Sequence, residues 1–78
     1  MSRTIELSYE ARHIFRELPY AVATRLSREL VRIAHGEPSG AEKIPDSRLF
    51  QVRVRGALAL FAADRGSATI YVLHIYRQ

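Results

Sequence analysis

Near residue 49 the hydrophobic periodicity of this chain switches from helical to extended, and that switch leaves few ways for it to fold. In Leu49-Phe50-Gln51-Val52-Arg53-Val54-Arg55, the residues Phe50, Val52 and Val54 fall on one side of a strand. Gln51, Arg53 and Arg55 fall on the other, because side chains alternate with period two. One face seals a core and the other presents cations. The strand ends near Arg55-Gly56, and a second runs from Ala57 to Ala63. Its stretch Leu58 to Ala63 has no polar residue on either face, which marks a central strand covered on both sides or an unusually apolar exposed face. Asp64-Arg65-Gly66-Ser67 reads as a turn with Gly66 free to take a positive φ, and Ala68 to Tyr76 as the last strand.

Before the switch the pattern is mostly helical. Arg3 to Tyr9 alternates, with Ile5, Leu7 and Tyr9 on one side, and predicts a short half-buried strand. Ser8 is suited to N-cap a helix running to about Leu18, with Glu10 in the first turn where the helix dipole favours an acid and Ala11, Ile14, Phe15 and Leu18 as the inward stripe. Pro19 ends that helix and can open the next, which runs from about Tyr20 to His35, buries Val22, Ala23, Leu26, Leu30, Ile33 and Ala34, and stops at Gly36. With so short a connection the two helices are expected to lie antiparallel, as a hairpin. Gly36 to Asp46 holds two glycines and two prolines and reads as a loop. The expected fold is α+β: an N-terminal strand and a helix hairpin packed on a small, mainly antiparallel sheet, in the order β-α-α-β-β-β, as one domain over residues 1–78.

Size and composition restrict function. A chain of 78 residues buries only about 60–65% of the surface its unfolded form exposes, so the core is thin. The absence of cysteine removes disulfides, thiolate metal sites and thiol catalysis. No signal peptide is visible and no run approaches the roughly 18 apolar residues of a membrane span, so the expected location is the cytoplasm, with no membrane partner. The net charge of +4 is unevenly spread. Residues 1–42 carry six arginines against six acids; residues 43–78 carry Lys43, Arg48, Arg53, Arg55, Arg65 and Arg77 against Asp46 and Asp64. A localised basic surface fits a polyanion such as nucleic acid or an acidic protein segment.

The order of elements, the Gly/Pro loop leading into Glu42-Lys43-Ile44, the basic strand Phe50-Gln51-Val52-Arg53-Val54 and the ending Val72-Leu73-His74-Ile75-Tyr76-Arg77 resemble the RelE/ParE superfamily. Its members are the toxin halves of bacterial type II toxin–antitoxin pairs. The resemblance implies a cognate antitoxin as partner. It also implies one of two targets: messenger RNA cut on the ribosome, as in the RelE-like and HigB-like branches, or DNA gyrase, as in the ParE-like branch. A third possibility is a catalytically silent relative that only binds an antitoxin. The chain departs from the RelE-like pattern on the strand after the basic one, where Leu58 stands in place of an arginine that stabilises charge on the scissile phosphate. RelE-like toxins also continue past the last strand into a tail with a functional tyrosine or histidine, whereas this sequence runs to Gln78. Both departures count against ribonuclease chemistry unless other residues have taken over.

Cleavage of RNA by its own 2′-hydroxyl needs a proton acceptor, a proton donor and cations around the phosphorane-like transition state. His74 and Tyr76 are the candidate proton carriers and Arg53 the catalytic cation, with Lys43, Arg48, Arg55 and Arg77 as phosphate contacts. Arg53 and Arg55 are expected to project together from one strand face, about 7 Å apart by strand rise. The same residues would also suit a solvated sheet face or an antitoxin docking surface. His74 is expected to share a strand face with Ile70, Val72 and Tyr76, company that equally suits a partly buried, hydrogen-bonded histidine. Arg25, Arg28 and Arg32 form a helical stripe that could contact a polyanion, but Glu29 lies among them and can pair with Arg25 or Arg32, which favours a solvated helix face. His13 and His35 have no second ligand at metal spacing, so neither a metal nor another cofactor is expected.

Overall fold

The computed structural model describes residues 3–63, 66 and 68–78. Its elements are β1 (Thr4–Leu7), α1 (Tyr9–Glu17), α2 (Tyr20–Ala34), β2 (Glu42–Lys43), β3 (Leu49–Val54), β4 (Ala57–Ala62) and β5 (Thr69–Arg77). The strands form one sheet in the order β1-β5-β4-β3-β2, antiparallel except where β1 runs parallel to β5. Of the turn expected at 64–67, only Gly66 is among the described residues, with φ 87°.

Local chemistry sets the helix boundaries. Ser8 is the N-cap of α1, its hydroxyl accepting from Ala11 N at 3.0 Å. Pro19 takes the N-cap position of α2, where its missing N–H costs nothing. That helix closes on a Schellman motif: Glu37 N donates to Arg32 O at 2.9 Å and Gly36 N to Ile33 O at 3.1 Å, with Gly36 at φ 72°. Tyr9, expected on the inner side of the first strand, begins α1 instead and is 82% exposed.

Both helices cover the same sheet face, α1 over β5 and α2 across β1, β3 and β4. Between the layers lie Phe61, Leu26, Ile70, Val52 and Val72, the largest fully buried side chains, and Phe50 stacks on Phe61 with centroids 5.5 Å apart. Among the described residues no polar side chain is buried. The expected 36–46 loop contains a strand: β2 pairs Glu42 with Gln51 and Lys43 with Phe50. It is too short to carry a readable alternation. Glu29 holds the approach to it, accepting from Gly40 N at 3.1 Å with one carboxylate oxygen and from Arg32 at 3.0 Å with the other.

Candidate functional site

The sheet face away from the helices holds the candidate chemistry, and cross-strand register fixes its rows. Arg53 lies opposite Leu58, and Leu58 opposite Tyr76. The next row is Glu42, Gln51, Leu60 and His74. Beyond it come Leu49, Ala62, Tyr71 and Glu6. On β4, Ala57, Ala59 and Phe61 are buried beneath the helices, while Leu58, Leu60 and Ala62 are half-buried on the open face. The apolar run is therefore an unusually apolar exposed face rather than a strand covered on both sides. The face expected to be basic is a leucine and tyrosine strip with Arg53 at one end and two acids, Glu6 and Glu42, at its margins.

His74 and Tyr76 stack side by side on this face, ring centroids 5.6 Å apart. Both are exposed, and neither shares a face with Ile70 and Val72, which are buried under the helices. The expected company of His74 is overturned by a bulge. Phe61 pairs with Val72 and Leu60 with His74, so Leu73 is an extra residue that reverses the parity of everything after it.

The cations divide into two groups. Arg53 projects from β3 on the open face. Arg55 is not on the strand with it but in the two-residue turn joining β3 to β4, where only Gly56 takes a positive φ, 101°, as in a type II turn. Arg25 Nη1 reaches the Arg55 carbonyl at 3.5 Å, so the helical stripe set apart in the sequence meets the hairpin turn at this corner. Among the described residues no ion pair engages Arg53, Arg55, Arg25 or Arg48. Arg48 stands in the bend before β3. Lys43 lies opposite Phe50 and donates to Ser47 O at 2.6 Å, directed into its own loop. Arg77 lies opposite the buried Ala57, on the helix side, and pairs with Glu17 of α1. The structure thus gathers Arg53, His74 and Tyr76 on one face, sets Arg55 at its corner, and leaves Lys43, Arg48 and Arg77 off it. Sequence reasoning set Arg25 on a solvated helix face, because its link to Arg55 is made across 30 positions.

A concavity of about 690 Å³ lies on the opposite side of the molecule, between the helices, lined by Phe15, Tyr20, Ala23, Thr24, Ser27, Arg28, Val31, Arg32 and Glu37. Among the described residues no group of three or more histidines and acids is placed to hold a metal, and no helix is long and apolar enough to cross a membrane.

The sequence matches no protein-family model and no curated protein. Solved structures do match. A chain of the intact E. coli RelBE toxin–antitoxin complex superposes with a TM-score of 0.84 at 15% identity, covering 99% of this chain and 98% of that one. The isolated E. coli RelE toxin gives 0.81 at 13% identity, over 97% of this chain and 84% of that one. The RelBE2 toxin–antitoxin complex from Mycobacterium tuberculosis gives 0.66 at 19% identity over the full length of both chains. The shared element order and sheet topology mean that this chain has the fold of the RelE toxin.

Proposed function

We propose that this protein is the toxin component of a type II toxin–antitoxin module, held in check by a cognate antitoxin in the cytoplasm, and that it stops growth by ribosome-dependent cleavage of messenger RNA. The observation that carries this reading is the meeting of a free arginine, a histidine and a tyrosine on the one sheet face that no helix covers. The RelE fold supports the toxin class, and the solved RelBE complexes support an antitoxin partner.

In this reading Arg53 and Tyr76 flank Leu58, roughly 10 Å apart at their Cα atoms by strand spacing, and a phosphodiester lies across Leu58 between them. The 2′-hydroxyl attacks the adjacent phosphorus, forming a 2′,3′-cyclic phosphate as the bond to the 5′-oxygen of the next nucleotide breaks. His74 takes the 2′-proton, Tyr76 supplies a proton to the leaving oxygen, and Arg53 stabilises the charge that builds on the phosphoryl oxygens. Arg55 and Arg25 take a flanking phosphate. Lys43, Arg48 and Arg77 contact phosphates further along the strand, the first and last after releasing Ser47 and Glu17.

The test is transcriptome-wide mapping of new messenger RNA 5′ ends after brief induction in a bacterium, beside the Arg53→Ala/Arg55→Ala variant. Fresh ends confined to translated regions are expected from the native chain, with loss of both ends and growth arrest in the variant. Growth arrest without new ends would move the target to DNA gyrase, and normal growth would leave a silent, antitoxin-binding relative.

A further inference from the structure

The strand that carries His74 and Tyr76 changes parity once, at Leu73, and the Ser8 side chain hydrogen-bonds to it there. We propose that Ser8 is a positioning residue for the His74–Tyr76 pair: its hydroxyl holds the Leu73 bulge that turns both rings to the open face. What the pair does there rests on the function proposed above; the geometry does not.

Were the ladder unbroken, with Leu73 paired to Leu60, it would set His74 opposite Ala59 and Tyr76 opposite Ala57, both fully buried positions, and would bring Ile75 opposite Leu58 on the open face. An imidazole and a phenol would then enter a core in which no described polar side chain is buried. The bulge avoids this but interrupts the ladder at Leu73. Ser8 supplies the missing partner, its Oγ donating to Leu73 O at 2.7 Å, while Ser8 N donates to the neighbouring Val72 O at 2.9 Å. The same Oγ accepts from Ala11 N at 3.0 Å. A hydroxyl has one donor and two lone pairs, and Ser8 uses the donor on the bulge and a lone pair on the helix. The end of β1, the start of α1 and the turning point of β5 therefore share one atom.

Because the two roles use opposite polarity, substitution separates them. Ser8→Asp keeps an acceptor for Ala11 N and is a good N-cap, but it has no proton for Leu73 O. Ser8→Thr keeps both functions. The experiment is NMR of the full chain, following contacts from the His74 ring to Tyr76 and to the Leu60 methyls, together with steady-state RNA cleavage on ribosomes. Ser8→Thr is expected to match the native chain. Ser8→Asp is expected to keep the α1 amide pattern, to lose or average the His74 contacts, and to lower kcat by about ten- to a hundredfold with KM little changed. Should Ser8→Asp fail to fold, Ser8→Gly, which helix N-caps tolerate, gives the same reading of the rings. His74 contacts that survive in the variant that folds would overturn the proposal. A native chain that cuts no RNA would sink the function proposed above, and the ring contacts would still decide this one.

Discussion

At the scale of single residues, a close fit of backbone to side chain lies at the β3–β4 turn. Gly56 has φ 101°, and a Cβ built there would sit 2.8 Å from Val22 Cγ2 on α2. Gly56→Ala therefore meets a backbone penalty and a steric one, together about 2–4 kcal/mol, read as a lower urea midpoint. Combining it with Val22→Ala removes the clash but not the φ penalty, so the double variant should be less destabilised than the sum of the singles. Additivity would show that the helix already yields at this point. The glycine was visible in the sequence as the end of the strand. Its second role was not, because Val22 is brought to it only by tertiary packing.

At the scale of elements, the helices were the most legible part of the chain. Ser8, Pro19 and Gly36 mark their ends by chemistry that acts locally. Strand β2 escaped notice because a two-residue pairing has no period. The face of His74 was misread for a different reason: alternation was carried through β5 as though unbroken, and the bulge at Leu73 is signalled only by the apolar order Ile70, Val72, Ile75. Knowing the face of β4 also decides what Leu58→Arg should do. Leu58 is half-buried on the open side between Arg53 and Tyr76, so an arginine can direct its head to solvent. The neighbouring Arg53 makes the cost about 0.2–1 kcal/mol. The variant should fold, and if RNA is the target its cleavage rate should rise. Misfolding on circular dichroism would mean that the strip is packed more tightly than its exposure suggests.

At the scale of the whole molecule, the order of the strands matters more than any one of them. β5 lies between β1 and β4 and contributes Ile70, Val72 and Ile75 to the core, yet it follows every other strand in the chain. Ser8 meets Leu73 across 65 positions, a long-range closure of the kind that slows folding. A fragment ending at Ala63 should leave β1 unpaired and the core open, giving collapsed amide dispersion in an NMR spectrum; a dispersed, cooperative spectrum would show that α2 and the β2–β4 meander fold alone. The same arrangement has a meaning in time. While this chain is still being translated, its centre is the part not yet made, so the open face does not exist until β5 has left the ribosome. On the function proposed above, a cell is exposed to the toxin only after that strand has been made, and an antitoxin translated first would meet each molecule as it closes.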